Sequence, residues 1–153
     1  AHSLGIKIIQ DIVLNHTGNY FTIDAKKFDP SHPELAWSAP ENSYPPEGYP
    51  KAPCDPIFSM NNPNIKKHKE AAVYNFTPNI TDFSNRDELL TYSICDLDDI
   101  NLKSPLAAKR MNEIYRFWID EVGIDGFRID TVYYTPEEFY NTSFTMMILP
   151  ISE

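Results

Sequence analysis

Glycine is scarce, at 5 of 153 residues, and no Gly-rich strand-to-helix turn of the phosphate-binding kind is present. Cysteine is scarcer: Cys54 and Cys95 could form one disulfide, and two buried free thiols are the simpler expectation. No apolar run approaches the roughly 20 residues needed to cross a bilayer. Positive charge is short as well, with 13 Lys and Arg against 22 Asp and Glu and a net charge of −9. That balance excludes nucleic acid, whose phosphates demand a basic face, and an anionic membrane surface. It suits a neutral substrate or a bound cation. No internal repeat, low-complexity tract or charged-then-apolar leader is visible. Localisation is left open, with an extracellular or periplasmic site favoured.

What is present falls into three zones. After Gly5 comes Ile6-Lys7-Ile8-Ile9-Gln10-Asp11-Ile12-Val13-Leu14. Aliphatic residues on both faces of a short run predict a strand buried on both sides, as in parallel sheets. It stops at Asn15-His16-Thr17-Gly18. From about residue 17 to 100 the chain is irregular, and nine of the 13 prolines lie between Pro30 and Pro63. Proline fixes φ and lacks a donor, so this stretch holds neither a long helix nor a central strand. Its aromatics (Trp37, Tyr44, Tyr49, Phe58, Tyr74, Phe76) argue for an ordered excursion. Regular structure then returns. Ser104 suits a helix cap, Pro105 the first turn and Gly123 the stop. Ala107, Met111, Ile114, Trp118 and Val122 recur at steps of three and four, forming one stripe. Ile124-Asp125-Gly126-Phe127-Arg128-Ile129-Asp130 follows as a second strand. The order strand, excursion, helix, strand predicts an α/β protein with a right-handed β-α-β unit.

Alternation in the second strand puts Phe127 and Ile129 on one face, Arg128 and Asp130 on the other. With a helix layer over the first face, the charged pair is expected inside the sheet or barrel, buried and therefore paired. The first strand adds Asp11 and Asn15, with His16 at its tip. Taken alone, Arg128 and Asp130 fit an ion pair as well as a catalytic pair. The convergence of five polar groups on one strand end favours a shared pocket mouth, the usual place for active sites in parallel α/β folds.

Three segments resemble signatures of the α-amylase family of glycoside hydrolases. Asp11-Ile12-Val13-Leu14-Asn15-His16 resembles the first, Gly126-Phe127-Arg128-Ile129-Asp130 the one carrying the nucleophile. Leu97-Asp98-Asp99-Ile100-Asn101 resembles the short one near the end of the family's inserted B domain. The resemblance implies part of a (β/α)8 TIM barrel: residues 1–16 around the third strand, 17–100 a B-domain-like insertion, 101–153 the third helix, the fourth strand and a truncated end. It implies retaining hydrolysis of α-glucans (starch, maltooligosaccharides or cyclodextrins), the isolated piece being inactive. Asp130 would be the nucleophile and Arg128 would hold it ionised and aimed. His16 would bond the sugar beside the cleavage point, with Asp11 bracing the substrate site. Asn15 and Asp99 would be calcium ligands, hard oxygen donors; for Asp99 a solvated acidic loop over Asp96 to Asp99 is the competing expectation. The chemistry needs a second carboxyl group about 5–5.5 Å away. Glu153 is the one candidate, although Pro150 spoils a strand there. Where the family often has Lys-His, this chain has Tyr133-Tyr134. A non-catalytic relative using the same barrel for partner binding is the alternative.

Overall fold

The two segments that read as strands pair with each other. The computed structural model describes residues 1–39 and 53–141. In it β1 (Ile9–Val13) and β4 (Gly126–Asp130) run parallel, with Ile9 opposite Gly126 and Val13 opposite Asp130. β1 is shorter than the aliphatic run suggested, and it is not buried on both sides: Ile9 is 68% exposed while Ile12 is 5% exposed. Only two strands bond in this sheet among the described residues. One face is covered by helix and the other lies open, so apolar side chains on the open face meet water.

Between the strands the chain forms only short elements, as its prolines dictate. β2 (Thr22–Ile23) pairs antiparallel with β3 (Trp37–Ser38). Two six-residue helices follow, α1 (Lys66–Ala71) and α2 (Arg86–Thr91). Asn85 caps α2, its side-chain oxygen accepting from Asp87 N at 3.0 Å. Most of the excursion's described aromatics build its own core. Phe21 packs on Tyr74 and Phe76 at ring separations of 5.5 and 5.3 Å, and Phe58, Tyr74 and Phe76 are all buried. Trp37 is half-buried and tied down, its indole N–H donating to Asn61 O at 3.1 Å. Tyr44 and Tyr49 lie outside the described residues. These aromatics join Ile12, Leu14, Met111 and Tyr115 in one continuous core, which locks the excursion to the strand pair.

α3 (Pro105–Asp120) starts and stops near the expected signals. Ser104 sits at the N-cap with extended backbone, yet its hydroxyl donates to Ala71 O at 3.0 Å and makes no cap bond. Gly123 adopts φ +78°, the left-handed geometry that ends helices, with Ile124 N bonding back to Trp118 O. The buried stripe is Ala107, Met111 and Tyr115, rotated from the predicted one: Ile114 and Trp118 are partly buried and Val122 is 49% exposed. Tyr115 wins the inner position because its hydroxyl donates to Val13 O at 2.7 Å while its ring meets Phe127 edge-on. Both cysteines are free and exposed, not buried. Among the described residues no helix is long and apolar enough to cross a membrane.

Candidate active site

Parallel pairing sets Asp11 directly beside Arg128 and Val13 beside Asp130. Since Phe127 turns toward Tyr115 on α3, alternation sends Asp11, Arg128 and Asp130 to the opposite face. There one guanidinium nitrogen, Nη1 of Arg128, donates to both oxygens of Asp11 at 2.9 and 2.8 Å. The same nitrogen lies 3.5 Å from Asp130 Oδ2. Arg128 thus links two carboxylates, with Asp11 the closer partner. Hydrogen bonding to Asp11 and the charges of both carboxylates push its own pKa up.

These side chains are not buried. Asp11, Arg128 and Asp130 are 63%, 59% and 53% exposed, which corrects the expectation of an enclosed pair inside the sheet. Nothing among the described residues covers that face. A water-screened pair of this kind adds little to folding stability, so packing need gives no account of three charges set side by side.

Asp130 is fixed at the strand tip by its own backbone neighbour: Thr131 N donates to Asp130 Oδ1 at 2.8 Å. Thr131 has φ +53°, a left-handed conformation that turns the chain sharply after the acid. Its hydroxyl donates to Asn15 Oδ1 at 2.6 Å, tying the turn to the end of β1. His16 Nδ1 lies 3.1 Å from the same Asn15 oxygen. With that oxygen accepting from Thr131, the ring is assigned as Nδ1–H, which leaves Nε2 as an acceptor. Burial lowers the His16 pKa and the nearby Asp130 charge opposes the shift. His16 is therefore within electrostatic reach of Asp130, and the two strand tips meet.

Asn15 and Asp99 also come together. Ile100 N donates to Asn15 O at 2.8 Å, and His16 bridges Asp99 in an antiparallel contact. Both residues are 2% exposed, so Asp99 is no solvated loop acid. Its side-chain hydrogen bond among the described residues comes from Asn75 Nδ2 at 2.7 Å, and burial pushes its carboxyl far above the usual carboxylate range. Asp98, which the sequence reading passed over, is 1% exposed; burial raises it to about 8 against the donated N–H of Tyr20. A buried carboxyl without a cation beside it has the chemistry of a hard-cation ligand. Asn15 Oδ1 fits less freely, since it already accepts from Thr131. Among the described residues no group of three or more His, Cys, Asp or Glu gathers for a metal. Glu153 and the apolar run before it lie outside the described residues.

The sequence reading also gave no place to three residues that touch this region. Thr131 was readable as the residue after the acid; Asn75 donates to Asp99 across 24 positions of chain, and Arg86 donates to the Tyr133 carbonyl across 47.

The chain as a whole is similar to known proteins. An alpha-amylase of Streptomyces lividans is 28% identical over 162 residues, covering 92% of this chain and 17% of its own. A cyclomaltodextrin glucanotransferase of Geobacillus stearothermophilus is 29% identical over 136 residues, covering 89% of this chain and 16% of its own. The chain therefore spans about a sixth of these relatives. The structure of an alpha-amylase from Geobacillus thermoleovorans complexed with acarbose overlays 94% of this chain on 23% of that one, at a TM-score of 0.60 and 20% identity. The family model for the alpha-amylase catalytic domain matches residues 1–145, and the chain belongs to that family of glycoside hydrolases.

Proposed function

We propose that the protein containing this chain cleaves α-glucans by retaining double displacement, with Asp130 as the nucleophile. The observation that carries this is the Asp11–Arg128–Asp130 chain of charges at the C-terminal ends of two parallel strands, beside the His16 tip. A carboxylate so placed is ready to attack an anomeric carbon, and the adjacent guanidinium aims it and favours its charged form. Asp11 holds Arg128 from the other side and so braces the substrate site. His16 presents Nε2 as an acceptor to a sugar hydroxyl. In this reading residues 1–16 and 101–153 contribute the third and fourth strand regions of a (β/α)8 barrel, and 17–100 is its B-domain insertion. Starch-like chains, maltooligosaccharides and cyclodextrins are the substrate class, in keeping with the names of the relatives.

Calcium is the proposed cation. Asp99 would hold it by a carboxylate oxygen and Asn15 by its amide oxygen. The ion would supply the positive charge that buried Asp99 lacks and fasten the insertion to the strand ends.

The test is stereochemical. The protein at full natural length, incubated with maltoheptaose and followed by proton NMR, is expected to release the α-anomer first. Initial release of the β-anomer would mean direct displacement by water and would defeat Asp130 as nucleophile. A second expectation concerns the sugar contact: His16→Ala raises KM for maltoheptaose about tenfold through one lost hydrogen bond to substrate. An unchanged KM removes His16 from the binding surface.

A further inference from the structure

Arg86, at the start of α2, reaches across to the segment that follows Asp130. Its guanidinium carbon lies 4.3 Å from the centroid of the Tyr133 ring, and its Nη1 donates to the Tyr133 carbonyl. Tyr133 belongs to the 3-10 turn Val132–Tyr134, closed by Tyr134 N bonding to Thr131 O at 3.0 Å. The Tyr134 ring stands edge-on to it, 6.4 Å away at 86°. One face of Tyr133 is covered by a cation and one edge is braced by an aromatic, yet the residue stays 62% exposed. A large aromatic held in water by a guanidinium that grips both its ring and its backbone is not a core residue. It is preorganised: its rotamer is fixed before anything lands on it, so a ligand pays little ordering entropy there.

We propose that Arg86 and Tyr133 form a composite sugar platform, Tyr133 stacking on a glucose ring of the α-glucan close to the bond that Asp130 attacks, and Arg86 positioning Tyr133. The inference rests on the glycosidase reading above. The chemistry is apt because a pyranose offers a face of polarised C–H groups, which an electron-rich ring accepts at low desolvation cost. Only Thr131 and Val132 separate Tyr133 from Asp130, and the left-handed Thr131 turn keeps both at the same strand end. The signature motifs do not supply this platform. Its positioning residue comes from the insertion, and the Lys-His expected at the other partner's place is replaced by Tyr133-Tyr134.

The experiment compares two substrates on the protein at full natural length. Maltoheptaose has many rings to stack; α-glucosyl fluoride has a single ring and no sugar leaving group. Tyr133→Ala is expected to raise KM for maltoheptaose about three- to tenfold, the worth of one aromatic stack, while kinetics on the fluoride stay within about twofold. Tyr133→Phe, which keeps the ring, should behave as wild type. Arg86→Gln should raise KM for maltoheptaose with kcat kept, by a smaller factor than Tyr133→Ala. Unchanged maltoheptaose KM in Tyr133→Ala overturns the platform and leaves Asp130 untouched. Equal losses on both substrates, with a lowered melting temperature, overturn it too and assign Tyr133 a structural role. No cleavage of either substrate by the wild type overturns the glycosidase reading and the platform with it.

Discussion

Asparagine in place of Asp130 is expected to lower kcat on maltoheptaose by about 10⁴-fold or more, the scale of loss when a covalent nucleophile is removed. The fold should be untouched. Asparagine matches the shape of aspartate, its oxygen still accepts from Thr131 N, and the side chain is about half exposed, so no buried group loses a partner. What disappears is the negative charge facing Arg128. A second variant tests the chemistry more sharply. Asp130→Ala leaves a gap at the strand tip into which a small anion such as azide fits. Added azide should then restore cleavage of an activated substrate and appear in the product as a glycosyl azide of inverted configuration, because one displacement now replaces two. Two results would remove Asp130 from the reaction: wild-type rates in the asparagine variant, or no recovered cleavage and no glycosyl azide from an alanine variant whose circular dichroism spectrum matches the wild type.

The polar constellation was legible because two kinds of period meet in it. A dense aliphatic run located β1, strict alternation located the charged face of β4, and both statements are about one dimension of chain. Their extent was harder to read. Ile6 and Ile8 look like strand interior but sit outside β1, partly exposed, since burial depends on what else covers them. The helix stripe was misplaced for a related reason. Periodicity counts Val122 as core and passes over Tyr115, whereas a tyrosine buries its ring when a strand carbonyl accepts its hydroxyl. The acidic stretch from Asp96 to Asp99 gave no hint of its division. Cys95 and Asp96 take φ of +52° and +63°, closing a tight reversal in which Leu97 N bonds Ile94 O. That reversal leaves Asp96 in water and drives Asp98 and Asp99 inward. Aspartate tolerates such an angle but cysteine does not favour it, so the local preference for the turn is weak. The Arg86–Tyr133 contact, 47 residues apart, exists only once the excursion has folded onto the strand ends.

That dependence of the site on long-range packing makes Tyr115 the residue whose loss should cost the fold most. It is 8% exposed, packs on Phe127 at 5.3 Å, and its hydroxyl bonds the carbonyl of Val13, the residue opposite Asp130 in the strand register. Burial holds its pKa up at about 12, so the phenol remains a neutral donor through the ordinary pH range. Tyr115→Ala opens a cavity between α3 and both strands, and urea unfolding should show a loss of about 3–5 kcal/mol. Tyr115→Phe keeps the ring and removes only the donor. Because the Val13 carbonyl is then left without that partner, the loss should be about 1–2 kcal/mol. The pair of variants separates packing from hydrogen bonding, and the ordering Ala worse than Phe worse than wild type is the expected result. A phenylalanine variant as stable as wild type would mean that water replaces the hydroxyl at Val13. An alanine variant losing under about 1 kcal/mol would mean that α3 does not hold the strand pair in place, and the register that sets Arg128 between Asp11 and Asp130 would need another support.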